Sequence, residues 1–564
     1  MATTTTITMQ DLPLQRAFYW EKKRANSVYL SQPMGEGKIR EWTWAQAMNE
    51  ARRMAAWLKA QDWEQGARVA IMSKNTAWWI MADLAIWMAG YVSVPIYPNL
   101  QSDSVRQILE HSDSKLVFVG KLDDPQSMIE GIPRSVAQVG TPLCAIKTQE
   151  SWESIVATTQ PLQGKHTPAS DALATVIYTS GTTGFPKGAM HDFAAFAHTS
   201  KALHQLLRGT QADRFFSYLP LAHVAERCLV EGFSLYTGAP VFFAESLDTF
   251  VQDLQRARPT LFFSVPRLWM KFQQGVMAKM PSRKLNLLLS LPVLGRVVRK
   301  KVLHGLGLDS VRFAGTGAAA LPPSVVAWYR HLGLELLEGY GMTEQFAFAT
   351  ISVPGRMRVG FVGESIACCD VKLSDQGEVL TRGPAHMKGY FLNPEQTRDA
   401  YTQDGWLKTG DCGELDDQGR LRIVGRMKEQ FKTSKGKYVA PAPIESKLAA
   451  LAGIEACLVT GGAESHQPFA IVMLPEGRWS AMRNPGARSE FTSQVSAHVE
   501  RINAELDQHE HLSFVAIVPE QWTVEAGLVT PTLKLKRNAL EAHYRKHYDQ
   551  WFKRGSPVVW HDHA

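Results

Sequence analysis

Cysteine is scarce in this chain. There are six in 564 residues, at positions 144, 228, 368, 369, 412 and 457, and no two are spaced C-x-x-C. That excludes a disulfide scaffold and a thiolate metal cage. It leaves free, mostly buried thiols in a reducing compartment as the expectation. The 17 histidines contain no H-E-x-x-H pattern, so no structural or catalytic zinc is expected. A secretory start is missing too, because Met1-Ala2-Thr3-Thr4-Thr5-Thr6 has neither basic residues nor an apolar stretch. No apolar run is suited to crossing a membrane. The richest, Ala77 to Pro98, is interrupted by Asp83 and broken by Gly90, Pro95 and Pro98. It reads as a buried helix followed by a strand at Val92–Ile96. These absences point to a cytoplasmic protein. There is no internal repeat and no long low-complexity segment.

The remainder is ordinary for a globular protein: 45% hydrophobic and 20% charged, with a formal net charge of +7. The basic excess reads as spread along the sequence and suits anionic ligands or a membrane surface, with a solvated basic surface as the plain alternative. It gives no reason to expect a nucleic-acid partner. The length exceeds what one core organises, so two or more domains are expected. Helical and strand patterns alternate: Trp44–Lys59 is amphipathic, and 68–72, 116–119, 214–218, 239–243 and 261–265 are strand-like. This predicts layered α/β structure. Residues 355–425 turn Gly-rich, with short β pieces at 378–381 and 422–424, and suggest a small β subdomain. From 426 a shorter α/β unit begins, so the expected division is 1–425 and 426–564. Ala440-Pro441-Ala442-Pro443 reads as a stiff turn just inside the second unit.

The most informative stretch is Tyr178-Thr179-Ser180-Gly181-Thr182-Thr183-Gly184-Phe185-Pro186-Lys187-Gly188. It follows the apolar, β-branched run 172–177. A strand opening into glycines, hydroxyls and a lysine suits a phosphate: backbone N–H groups approach, hydroxyls donate, and lysine supplies charge. The common nucleoside-triphosphate loop, G-x-x-x-x-G-K-[ST], is not matched, because Gly181 and Gly184 are too close and Gly188 follows Lys187.

Four further motifs carry chemistry. They are Tyr218-Leu219-Pro220-Leu221-Ala222-His223-Val224-Ala225-Glu226-Arg227, Glu338-Gly339-Tyr340-Gly341-Met342-Thr343-Glu344, Lys408–Asp411 with Gly425–Glu429, and Thr530–Arg537. Tyr340, between two glycines, offers a flat face to a base. Thr343 and Glu344 are hard oxygen ligands suited to Mg²⁺. Asp411 suits ribose hydroxyls, Arg426 suits phosphate or sugar oxygens, and Lys534 adds mobile positive charge. Taken singly, each has a plainer reading: Tyr340 as a rim aromatic, Asp411 as a turn residue, His223 as a structural histidine, Lys534 as part of a solvated charged run. Five such motifs in order in one chain are hard to assign to chance.

Together, Tyr178–Gly188, Glu338–Glu344, Thr409–Asp411 and Gly425–Lys428 resemble the core motifs of the adenylate-forming superfamily of acyl-CoA synthetases, luciferases and adenylation domains. Tyr218–Arg227, Val265–Trp269, Lys432–Lys437 and Thr530–Arg537 are similar to long-chain fatty acyl-CoA synthetases in particular. The resemblance implies an α/β fold with a large N-terminal domain of layered subdomains and a small mobile C-terminal α/β domain. It implies AMP-forming ligation of a medium-to-long-chain fatty acid to coenzyme A, with ATP, Mg²⁺ and coenzyme A taking part. By the same resemblance Thr179–Lys187 wraps phosphates, Gly315, Gly317, Ala318, Gly339, Tyr340 and Gly341 surround adenine, and Thr343 contacts phosphate. Glu344 holds Mg²⁺, Asp411 and Arg426 serve the ribose, and His223 lies near the substrate carboxylate. Lys534 acts in adenylation, with Lys536 as the weaker candidate. Lys428 is the hinge, and Lys432, Ser434, Lys435 and Gly436 enter for coenzyme A. Other readings are the same chemistry on an aryl or amino acid, loading of a carrier protein, and a non-catalytic lipid- or nucleotide-binding relative. No D-S-L phosphopantetheine signature occurs in the chain, which weakens a self-contained carrier system.

Segments 233–243 and 261–269, rich in Phe, Leu and Trp, are candidates to line an acyl tunnel, with ordinary sheet core as the alternative. Residues 282–304 mix leucine and valine with arginine and lysine. They suggest either a helix on an anionic membrane or, as the more common case, a surface helix covering the core. Association with the inner face of a membrane and an oligomeric assembly are both compatible with the sequence.

Overall fold

The computed structural model describes residues 6–179, 186–319, 321–434, 436–461, 467–524, 526–530 and 534–561. Of the expected site residues, Ser180, Gly181, Thr182, Thr183, Gly184 and Lys435 lie outside them.

Local signals explain the first elements. Helix Trp44–Lys59 starts at a capping box in which Thr43 accepts from the Gln46 N–H and the Gln46 side chain bonds back. Helix Ala77–Ala89 is apolar on every side, so it has to be buried on every side, and all of its residues are. Gly90, at φ 85°, ends it in the left-handed conformation, and the buried strand Val92–Ile96 follows.

Among the described residues, two large sheets form the N-terminal domain. The nine-stranded sheet runs in spatial order Glu364–Ser365, Thr350–Ile351, Leu336–Tyr340, Phe313–Thr316, Leu261–Ser264, Phe215–Ser217, Val241–Phe243, Val28–Pro33, Ile39–Thr43. Its six strands from Leu336–Tyr340 through Val28–Pro33 are parallel, so their carboxyl ends share one edge. The eight-stranded sheet runs Gly389–Tyr390, Lys187–Asp192, Leu173–Thr179, Val92–Ile96, Arg68–Met72, Ser114–Val119, Ala137–Gly140, Glu150–Ser151. Helix Ala77–Ala89 packs against strands of both sheets. Its one charge, Asp83, pairs with Arg227, which also meets Glu231 at 3.0 Å and donates to the Thr175 hydroxyl at 2.7 Å. All three charged groups are fully buried. The buried triad thus ties the two sheets together behind the His223 motif, and removing Arg227 would leave two buried carboxyl groups without a cation.

The expected β subdomain is a four-stranded antiparallel sheet of Asp370–Leu373, Glu378–Arg382, Leu407–Leu415 and Leu421–Arg426. The small C-terminal domain centres on strands Ala456–Thr460, Phe469–Met473, Val515–Val518 and Val558–Trp560. Two local expectations are corrected. Ala440–Pro443 is not a turn. It opens helix Pro441–Leu448, with Pro441 at the first position, where a missing N–H costs nothing. Residues 282–304 form not one helix but two, Ser282–Ser290 and Pro292–Gly305, because Pro292 ends one ladder and starts the next. The six cysteines are unpaired, five buried and Cys144 partly so.

Candidate active site

Parallel α/β sheets bind ligands beyond the carboxyl ends of their strands, and the chain's motifs collect there. Strand Phe313–Thr316 leads into Gly317-Ala318, and strand Leu336–Tyr340 leads into Gly341–Glu344. The turn at each end is tight. A Cβ at Gly341 would lie 1.9 Å from the Ala347 carbonyl oxygen, and one at Gly317 would lie 2.8 Å from the Gly339 oxygen. Ala318 (φ 68°), Phe346 (φ 54°) and Ala347 (φ 87°) are left-handed without being glycine. Such strain persists only where surrounding packing enforces it and clusters at functional sites. Phe346 is fully buried against His191 and Phe196.

Lys187 and Thr179 are paired across the antiparallel strands Leu173–Thr179 and Lys187–Asp192, at the end from which the first strand leaves and the second begins. The next strand over, Gly389–Tyr390, places the Tyr390 ring 5.3 Å below the Lys187 ammonium. The Tyr390 hydroxyl donates to Glu344 Oε1 at 2.7 Å, and the Met387 N–H donates to the Glu344 carbonyl at 2.8 Å. Tyr390 therefore joins two motifs that are far apart in sequence.

A second cluster surrounds Asp411. Its Oδ2 accepts from the Tyr340 hydroxyl at 2.7 Å, and its Oδ1 lies 3.1 Å from Arg426 Nε. Asp411 and Arg426 are direct partners across the antiparallel ladder. Burial raises the Asp411 carboxyl, against the pull of Arg426, the Tyr340 hydrogen bond and Lys534. Each carboxylate oxygen keeps a second lone pair for a further donor.

His223 caps the short helix Val224–Glu226 by accepting the Ala225 N–H at Nδ1, 3.2 Å away. The neutral ring then carries its proton on Nε2. Burial, and then the charge of Lys534, push its pKa down to about 4, so the neutral form prevails at physiological pH. The turn is held from beneath. The Ser217 hydroxyl and the Tyr218 N–H both donate to Glu226 Oε1, at 2.9 and 3.0 Å. Asn75, from the other sheet, donates to Ser217 Oγ at 2.8 Å and accepts from the Leu221 N–H at 3.0 Å. Burial lifts Glu226 to about 8.

Lys534 reaches this cleft from the C-terminal domain. The Thr530 N–H donates to the Lys534 carbonyl at 2.7 Å. The lysine keeps surface open to the cleft. Desolvation by the crowded protein side and the repulsion of Arg426 lower its pKa, while Asp411, Glu344 and Glu429 oppose them. One ion pair joins the domains near this seating, and another braces the C-terminal domain beside Lys534. Arg267, at the start of helix Pro266–Lys279, pairs with Glu455 of the C-terminal domain. Arg537 holds Glu445 through two bonds of 2.7 and 2.9 Å. Lys428 is exposed in the turn after strand Leu421–Arg426. Lys432, Ser434 and Gly436 lie on an exposed two-stranded hairpin, with Lys432 over the Tyr438 ring.

Behind the cleft, Phe215, Phe216, Phe233, Phe262 and Phe263 line an apolar cavity with Glu226 as its one charged residue. Its volume of about 20 Å³ has room for a single water. Sequence reading missed Tyr390, Glu226 and Asn75. Only Glu226 lay inside a motif it had marked.

A model of the AMP-binding enzyme family matches residues 18–391, and one of the AMP-binding enzyme C-terminal domain matches 428–556. The chain belongs to the AMP-binding enzyme family. Relatives of this AMP-binding enzyme include the peroxisomal long chain acyl-CoA synthetase 7 of Arabidopsis thaliana. It is 30% identical over 92% of this chain and 83% of that protein. The long-chain-fatty-acid--CoA ligase FadD15 of Mycobacterium bovis is 29% identical over 93% of this chain and 94% of its own length. Among solved structures, the A domain of carboxylic acid reductase from Segniliparus rugosus, in complex with AMP and a co-purified carboxylic acid, superposes with a TM-score of 0.79. It is 19% identical and covers 98% of this chain and 97% of that one.

Proposed function

We propose that this AMP-binding enzyme ligates a medium-to-long-chain fatty acid to coenzyme A. A carboxylate oxygen attacks the α-phosphorus of ATP, giving acyl-adenylate and pyrophosphate. The thiol sulfur of coenzyme A then attacks the acyl carbonyl, and AMP leaves. The observation that carries this reading is the convergence of Lys187–Tyr390–Glu344, Tyr340–Asp411–Arg426, His223 and Lys534 on one cleft. The names of the relatives support the fatty acid and the thiol.

The residues fit the parts assigned to them. Lys187 and Thr179, paired across their strands, can both offer donors to phosphate oxygens. Tyr340 offers a flat face for adenine, and Gly315, Gly317, Gly339 and Gly341, with the small Ala318, keep the neighbouring backbone open to it. Asp411 accepts from ribose hydroxyls while Arg426 keeps it ionised. His223 donates from Nε2 to a substrate oxygen without adding a charge, as transition-state stabilisation by a preorganised dipole requires. Among the described residues no cluster of three or more His, Cys, Asp or Glu forms a metal cage. One carboxylate, Glu344, beside the Thr343 hydroxyl fits a Mg²⁺ that arrives on the triphosphate, since Mg²⁺ keeps waters and takes few protein ligands. When bound, the ion neutralises phosphate charge and polarises the phosphoryl group. Lys534 supplies further positive charge as the α-phosphorus is attacked. It then withdraws by rotation of residues 426–564 relative to 1–425 about Lys428, and Lys432, Ser434, Lys435 and Gly436 approach for coenzyme A. The unpaired cysteines suit a reducing, cytoplasmic setting.

The same adenylation chemistry on another acid is the second reading, favoured by the fold it shares with the carboxylic acid reductase A domain. Pyrophosphate release measured with acids from acetate to oleate, including aryl acids, with and without coenzyme A, tests both. Turnover that rises with chain length and yields a thioester only with coenzyme A is expected. A preference for aryl acids overturns the first reading, and no pyrophosphate with any acid overturns both.

A further inference from the structure

The chain's positive charge is not spread evenly, as the sequence first suggests. Residues 254–308 contain eleven Lys and Arg and no Asp or Glu, more than the whole chain's net +7. The structure places much of this charge on one feature. Helices Ser282–Ser290 and Pro292–Gly305 form an elbow. It is tight at Gly295, where a Cβ would lie 2.5 Å from the Leu289 oxygen. Leu285 and Leu289 face inward and pack in the cluster of Trp269, Phe272 and Tyr329. Arg299 is turned inward as well, donating to the His331 and Leu289 carbonyls. The outer face is different. Leu287 is 66% exposed, Val293 79% and Val297 59%, with Leu291 and Leu294 at 44%. Arg283, Lys284, Arg296, Lys300 and Lys301 are exposed among them.

A surface helix that only covers the core has no need of an aliphatic outer face. Contiguous exposed apolar area on a soluble domain marks an interaction site. We propose that this elbow docks on an anionic phospholipid bilayer, with Leu287, Val293 and Val297 entering the acyl boundary and the surrounding lysines and arginines meeting lipid phosphates. Charge complementarity selects this occupant. Leucine and valine ringed by basic side chains, with no carboxylate for 55 residues, is the composition of an interfacial helix. No described helix is long and apolar enough to cross a membrane, and a docking face needs none. The position fits as well. Helix Pro266–Lys279 starts beside the Phe262–Phe263 cavity and joins the elbow in one apolar cluster. An acid dissolved in the bilayer thus meets the protein on an arm whose inner end borders the apolar wall behind the cleft. This deepens the fatty-acid reading by naming where the acid is taken up.

Vesicle binding tests the docking without any substrate, so its failure is distinguishable from failure of the ligase reading. The full-length chain is expected to co-sediment with vesicles of equal parts phosphatidylcholine and phosphatidylglycerol, and weakly with phosphatidylcholine alone. V293D/V297D and K300E/K301E, all on exposed positions, are each expected to weaken binding about tenfold or more. Both should keep wild-type melting temperature and wild-type pyrophosphate release with a water-soluble short-chain acid, and both should lose turnover of vesicle-borne oleate. Binding unchanged in both variants, or no binding by wild type, overturns the proposal. So does a change of oligomeric state in the variants, which would assign the face to another protein surface.

Discussion

Lys187 and Lys534 border the same cleft but are attached to it in different ways. Lys187 belongs to a strand inside the eight-stranded sheet, with Thr179 opposite it and the Tyr390 ring beneath its ammonium. It cannot leave without unzipping a sheet. Lys534 belongs to the C-terminal domain, whose visible ties to the N-terminal domain include the half-exposed pair Arg267–Glu455. Arg537, three residues on, is bound to Glu445 within that domain, which ties the segment carrying Lys534 to its own domain. A fixed cation suits a group that remains bound through a step, and a detachable one suits charge needed in one step and unwanted in the next.

The sharpest way to break the comparison is Lys534→Ala. Loss of a preorganised charge at the transition state is expected to reduce pyrophosphate release by about 10²–10³-fold, while thioesterification of supplied acyl-adenylate is nearly unchanged. Equal loss of both halves would contradict a step-specific lysine. The same residue sets a pH dependence. The ammonium is the active form, and burial with Arg426 lowers its pKa from 10.5. Adenylation should therefore decline on the alkaline side earlier than an ordinary lysine would dictate. Lys534→Arg should move that limb upward, and the second half-reaction should lack it.

A smaller, graded effect is expected on the fixed side of the cleft. Glu344→Ala should raise the Mg²⁺ concentration needed for ATP binding, read by calorimetry, by roughly a hundredfold. Tyr390→Phe, which removes only the hydrogen bond that orients Glu344, should raise it by roughly tenfold. Since Tyr390 also lies under Lys187, the phenylalanine ring should leave ATP affinity at saturating Mg²⁺ intact. A loss of affinity there would mean that the hydroxyl, and not the ring, serves the nucleotide.

These residues also show what the sequence could and could not reveal. Helix Ala77–Ala89 and its strand were legible because an apolar run broken only by Asp83 and ending at Gly90 has few other solutions. Lys187, Glu344, Asp411 and Lys534 were legible because reactive side chains stood among glycines and hydroxyls in a familiar order. Tyr390 was not, because what makes it important is a neighbour 46 residues away. Asn75 was hidden for the same reason, since its partners lie more than 140 residues on. The Pro441 helix start was misread because proline punctuates both turns and first helical positions, and only the cap that follows distinguishes them. The two-helix elbow at 282–305 was half legible. Its composition was visible, but which leucines point outward depends on how the elbow is packed.

The gentlest test acts on the contact between domains. Arg267–Glu455 is an ion pair with Arg267 54% exposed, and such pairs contribute at most about 1 kcal/mol. Arg267→Ala should therefore withdraw Lys534 only fractionally. Pyrophosphate release should fall by up to about fivefold, with thioesterification of supplied adenylate unchanged or slightly faster. Raising the ionic strength should reproduce the effect in the wild type and add little in the variant, because salt screens what the substitution has removed. A loss in both half-reactions that salt does not mimic would place Arg267 against the substrate and make the contact with Glu455 incidental.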